Sequence, residues 1–179
     1  MKASLAVPLF LALAAAAANP APGVRPGQLQ PSLNRRVPSM EGLAIVVDRN
    51  NPASNITMRE LHEIFLGDRR WWSHDRRVKL IGMQPGTPER ETILHTVYKM
   101  DDRALSHYFF FEIYRGAPIT LPTALASPSE VKRSVAAKPG AIGYLRASDV
   151  DSSVKVLRIN GLLPGDDGYP LRLRTRASK

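Results

Sequence analysis

Between residues 78 and 100 the sequence changes period once, and that change limits what the chain can fold into. Val78 to Met83 is an apolar run of strand length, whereas Ile93, Leu94, Val97 and Tyr98 recur at helical spacing. The two are joined by Gln84-Pro85-Gly86-Thr87-Pro88-Glu89-Arg90. Pro-Gly makes the turn, Thr87 is placed as an N-cap, and Pro88 takes the first helical position, where a missing N–H costs nothing. A strand handed directly to a helix requires that the helix pack back onto the strand's own sheet. The helix start also gathers unpaired N–H groups at its positive dipole end, a geometry suited to an anion.

The flanking segments repeat this alternation. Leu43-Ala44-Ile45-Val46-Val47 reads as a buried strand, ended by Asn50-Asn51-Pro52. Thr57-Met58-Arg59-Glu60 is a capping box, Ile56 and Leu61 occupy the hydrophobic-staple positions, and Gly67 stands at the C′ position. Asp101 opens a further helix, with Leu105, Tyr108, Phe109 and Ile113 on its apolar side and Gly116 at its end. A Pro-containing loop spans Ala117 to Ala126. Ser127-Pro128-Ser129-Glu130 is a second capping box. Ala141 to Leu145 and Val154 to Ile159 read as strands, with another expected at Tyr169 to Leu173. The order β, α, β, α, α, α, β, β predicts an α/β domain, helices flanking a small mixed sheet.

Residues 1–18 carry a basic start, an apolar run too short to span a bilayer, and Ala16-Ala17-Ala18. This is the pattern of a cleaved secretory signal peptide. Residues 19–40 hold five prolines among Gly, Gln, Ser and Asn, and are expected to be a disordered linker. The folded domain is expected over 41–175, with a tail at 176–179. No later segment is long and apolar enough to span a membrane. The protein is therefore expected to be periplasmic or secreted, and the absence of cysteine suits a bacterial envelope better than a eukaryotic exterior. The formal charge is +9, or +8 once Lys2 leaves with the signal peptide, which favours anionic partners.

The sequence carries no constellation for catalysis. It has no Gly-x-Ser-x-Gly elbow, no P-loop and no Gly-x-Gly-x-x-Gly. His62, His74, His95 and His107 lack metal-ligand spacing, so no metal or cofactor is expected. Asp68 to Arg77 mixes arginines with Trp71 and Trp72. It is expected to be a loop whose Trp covers the core edge, with nucleic acid an unlikely partner. The candidate site is the turn itself. Thr87 Oγ and the N–H groups of Glu89 and Arg90 could hold oxygens beside Gly86, with the Arg90 guanidinium as counter-charge. Glu89 opposes this reading, because a carboxylate in the first turn is already the favoured anion.

Several segments together resemble the phosphate-type periplasmic binding proteins of ABC transporters. They are Ile45-Val46-Val47 with Asn51-Pro52, Thr57 to Gly67 followed by Trp71-Trp72, Lys138 to Tyr144, and Tyr169-Pro170-Leu171. The resemblance implies one lobe of a type II periplasmic binding protein-like fold, a three-layer α/β arrangement. It implies a non-catalytic, exported solute-binding-like domain that takes phosphate or a related oxyanion weakly at Gly86, Thr87 and Arg90. The family pattern sets an Arg at the strand end and small hydroxyl or apolar residues after the turn. Here Gly82-Met83-Gln84 and Pro88-Glu89 stand in those places, and the second lobe is missing from the chain. The alternative is an envelope protein-interaction module that has lost its ligand.

Overall fold

The first apolar run becomes the interior of the sheet. In the computed structural model, which describes residues 41–73 and 75–173, β1 (Leu43–Val47) is buried along its whole length. It runs antiparallel to β7 (Ala141–Arg146), with Ile45 opposite Tyr144. On its other side it pairs antiparallel with the short β8 (Lys155–Val156). Beyond β7 lie β5 (Lys79–Met83) and the edge strand β6 (Thr123–Leu125), all three parallel. The order β6-β5-β7-β1-β8 is a mixed sheet.

Alternate residues of β7 face opposite layers. On one face, the missing side chain of Gly143 admits α4 (Pro128–Ala137), because a Cβ there would stand 3.0 Å from Val135 and 3.2 Å from Val131. On the other face, the Tyr144 ring meets Phe65 of α1 (Met58–Leu66), at 6.4 Å between centroids. Phe65 in turn meets Tyr98 edge-on at 5.5 Å. Helices on both faces of a mixed sheet make the three-layer α/β lobe expected from the sequence.

Local chemistry sets the helix ends. Thr57 Oγ1 accepts from the Glu60 N–H at 3.1 Å, the Glu60 carboxylate accepts from the Thr57 N–H at 2.8 Å, and Ile56 and Leu61 are both buried. Gly67 ends α1 at φ +86°. Asp101 caps α3 (Asp102–Tyr114) through the Ala104 N–H at 2.7 Å. The Ser127 box closes differently. Ser127 Oγ takes the Glu130 N–H, but the Glu130 carboxylate reaches one residue further back, to the Ala126 N–H.

Besides the expected loop at 117–126, which contains β6, four segments depart from the sequence reading. The helix after Thr87 is α-helical only over α2 (Pro88–Ile93). It then widens to a π turn over Leu94–Tyr98 and stops at Lys99, at φ 56°. The freed Val97 carbonyl accepts from His62 Nδ1 at 2.5 Å, so this histidine is held structurally. The loop at Asp68–Arg77 contains a bulged hairpin, β3 (Trp71–Ser73) against β4 (Arg76–Arg77). The single strand expected at 154–159 divides, because β9 (Arg158–Ile159) leaves the main sheet to pair with β2 (Asn55–Ile56). The segment at Tyr169–Leu173 forms only a bridge, Gly42 to Arg172, fastened by Leu43 N to Leu171 O at 2.7 Å and Leu173 N to Glu41 O at 2.8 Å. The expected signal peptide, linker and tail lie outside the described residues.

The Pro139-Gly140 turn is pinned from three sides. Asp48 Oδ2 accepts from the Gly140 N–H at 3.0 Å, and buried Trp72 donates Nε1–H to the Gly140 carbonyl at 3.0 Å. Gly140 sits at φ +82°, and a Cβ there would fall 2.2 Å from Arg77 O. Only glycine satisfies both the dihedral and the clearance.

Candidate anion site

The three residues singled out in the sequence meet at one junction, where β5 ends and α2 begins. Gly86 is exposed at φ +87°, with open space where a Cβ would stand. Thr87 is the N-cap. Its Oγ1 accepts from the Arg90 N–H at 3.3 Å and donates to Gln84 O at 3.2 Å. The Thr87 carbonyl takes the Glu91 N–H at 3.0 Å. Two of the three first-turn amides are thus taken up by Thr87, and Glu89 N–H is the one it does not take.

Arg90 is turned inward. Its Nε and Nη2 donate to Asp102 Oδ1 at 2.9 and 2.5 Å, and Nη1 donates to Met83 O at 3.2 Å. Burial alone would lower the Arg90 pKa, but the hydrogen bond and charge of Asp102 outweigh it and hold the guanidinium above its ordinary value. The side chain therefore stays charged, and three of its five N–H donors are engaged.

Glu89 is buried at 4% exposure and pairs with Arg146 at the end of β7, whose Nη1 also lies 3.7 Å from Glu41. Arg146 is held above its ordinary pKa by the Glu89 hydrogen bond. The carboxylate that the sequence sets against an anion is thus neutralised from the sheet side. Sequence reasoning missed Asp102 and Arg146. No local pattern links Arg90 to a residue twelve positions on, or Glu89 to one on a strand fifty-seven positions away.

Beside the turn is a cleft of about 490 Å³ lined by Gly86, Pro88, Glu91, Thr92, His95, Thr96 and Arg172. Arg172 is tied to the Tyr169 and Asp166 carbonyls at 3.3 and 3.0 Å. The His95–Glu91 pair, 3.8 Å apart, is largely exposed. Polar groups of both signs therefore meet at the rim.

The arginines of the hairpin serve the fold. Arg69 pairs with Glu60 at 2.7 Å, Arg70 and Arg77 bond the 117–121 segment, and Arg76 donates to Asn50 O. His74 lies outside the described residues.

Structural comparisons find the same α/β fold in proteins named for phosphate binding and transport. PstS from Borrelia burgdorferi superposes with a TM-score of 0.58 at 16% identity, over 74% of this chain and 55% of that one. An ABC-type phosphate transport receptor from Vibrio cholerae gives 0.52 at 24% identity, over 74% and 54%. A phosphate-bound structure from Clostridium perfringens, assigned as a phosphate ABC transporter substrate-binding protein, gives 0.57 at 20%, over 69% and 47%. The chain thus has a phosphate-binding-protein-like fold and spans about half the length of the structures it matches. No family model matches it. Among the described residues, no helix is long and apolar enough to cross a membrane.

Proposed function

We propose that this protein is an exported, non-catalytic solute-binding-like domain that takes phosphate or a related oxyanion weakly at Gly86, Thr87 and Arg90. The observation that carries this reading is the Gly86–Arg90 junction. There an open glycine turn, the Glu89 N–H and a charged guanidinium lie within one helical turn. The fold, shared with proteins named for phosphate transport, supports the ligand class. Affinity is weak because Asp102 already answers the Arg90 charge and the turn at Gly86 is exposed to water.

Calorimetric titration of the protein with phosphate tests the site. Millimolar binding that falls at least about tenfold in Arg90→Gln supports it. No heat at about 10 mM phosphate, or equal affinity in the variant, rejects it. Export is tested by sequencing the N-terminus of protein recovered from the cell envelope or medium, which should begin just after Ala18.

A further inference from the structure

All six large apolar side chains that stand exposed among the described residues lie on α3, on the loop that follows it or on the hairpin bonded to that loop. They are Phe110, Phe111, Ile113 and Tyr114 on α3, Leu121 in the following loop, and Trp71 on the hairpin, with exposures from 48% to 80%. Helix geometry explains the first four. Leu105 and Phe109 turn to the core, so Phe110 and Tyr114 project from the opposite side in line with Arg103 and His107. The Phe110 ring stacks on Tyr114, with centroids 6.4 Å apart and planes at 14°. It meets Phe111 at 5.9 Å. Over residues 108–114 the helix carries one charged side chain, Glu112, so its last two turns are apolar on most sides, as in a helix that is ordinarily covered. The loop after Gly116 binds this helix end to the hairpin, through Arg70 Nη1 to Pro118 O and Arg77 Nη2 to Thr120 Oγ1, each at 3.2 Å.

The same surface is basic. Among the described residues, Arg70, Arg77, Lys79, Arg103 and Lys138 have no carboxylate within ion-pair distance, and Lys79 and Lys138 flank Leu121 in one depression. Of the nearby acids, Glu112 is occupied by Arg115, and Asp68 faces Tyr108. We infer that this face docks on a lipid bilayer carrying anionic headgroups. Aromatic rings seat at the boundary between headgroup and acyl chain, and the cations that no carboxylate answers meet the phosphates, Arg70 and Arg77 with the donors left over from their bonds to the 117–121 segment. The charge argues against a second copy of the chain as the occupant, because a two-fold interface would set these five cations against five more. This inference is independent of the anion site at Gly86.

The full chain can be tested by co-sedimentation with phosphatidylcholine vesicles, with and without about 30% phosphatidylglycerol. Binding should require phosphatidylglycerol and weaken with salt. Phe110→Ser/Phe111→Ser/Tyr114→Ser should lower the partition coefficient by about tenfold or more. Lys79→Glu/Arg103→Glu, at two exposed positions, should reduce the preference for phosphatidylglycerol relative to the wild type. Seven basic residues and no acidic ones lie outside 41–173. They are common to all variants, so the ratio isolates this face. Tryptophan emission should shift to the blue on binding and lose that shift in Trp71→Phe, because Trp72 is already buried against Gly140. Equal partitioning of the wild type and the triple serine variant overturns the inference. So does a wild-type dimer in sedimentation velocity that the same variant dissolves.

Discussion

Removing one oxygen at Tyr144 should unsettle the strand that delivers the anion turn. The Tyr144 hydroxyl accepts the Met83 N–H at 2.9 Å, at the end of β5 beyond the residues paired with β7, and the ring is buried at 3% exposure. Met83 itself is buried, and its carbonyl receives Arg90. Tyr144→Phe keeps the ring contact with Phe65 but leaves a buried N–H without an acceptor. Such an orphan costs about 1 to 3 kcal/mol. For a domain of this size that lowers Tm by roughly 5 to 10 °C. Urea unfolding followed by circular dichroism measures it, with Tyr108→Phe as control. The Tyr108 hydroxyl makes a longer bond, 3.3 Å to Leu66 O, at a part-exposed site, and its loss should cost under about 0.5 kcal/mol. If Tyr144→Phe costs no more than Tyr108→Phe, the strand end is not held by that hydroxyl and the account of the junction is wrong.

Alkaline pH should act on the same group. Burial pushes the Tyr144 pKa up to about 12, and it raises those of Tyr98 and Tyr169 as well. Above about pH 10 the unfolded chain loses phenolic protons that the folded chain keeps, so stability falls with rising pH. Between pH 10 and 12, Tyr144→Phe should reduce that slope by about 1.4 kcal/mol per pH unit, as read from urea midpoints at each pH. Asp102→Asn removes the charge that answers Arg90 and should tighten phosphate roughly fivefold at low salt, measured by calorimetry. Unchanged affinity would place Arg90 outside the site. Gly140→Ala should cost more than about 3 kcal/mol or prevent folding, because the new Cβ meets Arg77 O. Gly86→Ala, at a similar φ but in open space, should cost about 1 kcal/mol. Comparing soluble yield and Tm of the two glycine variants separates backbone strain from a clash.

What the sequence disclosed was governed by distance along the chain. Thr57, Asp101 and Ser127 are legible as caps because cap and amide lie three residues apart, and the turn at Gly86 is legible for the same reason. The apolar runs at β1, β5 and β7 announce the sheet, since strands buried on both faces need no alternation. The edge strand β6 was hidden in a Pro-containing loop. Thr123 and Ala124 are exposed, and only pairing with β5 makes the segment a strand. The π turn was hidden because Leu94 to Tyr98 fits an α-helix equally well by pattern. The state of Arg90 was hidden for a related reason. Whether a guanidinium is free or answered depends on where α3 begins, and Lys99 decides that by reversing the chain.

The fastening of the domain's ends has a mechanical consequence. Glu41 and Leu173 lie side by side, joined by one hydrogen bond, with Gly42 and Arg172 paired antiparallel behind them. Tension applied through the two ends therefore loads these bonds one after another, as a zipper is opened, instead of shearing them together. The first step is loss of the Leu173 N–H bond to Glu41, then of the Leu43 N–H bond to Leu171. The N-terminal arm is also held to the end of β7, by the Ala147 N–H to Gly42 O at 2.9 Å and by Ser148 to the Glu41 carboxylate, so the C-terminal arm is the one that peels away while the sheet beneath it is still whole.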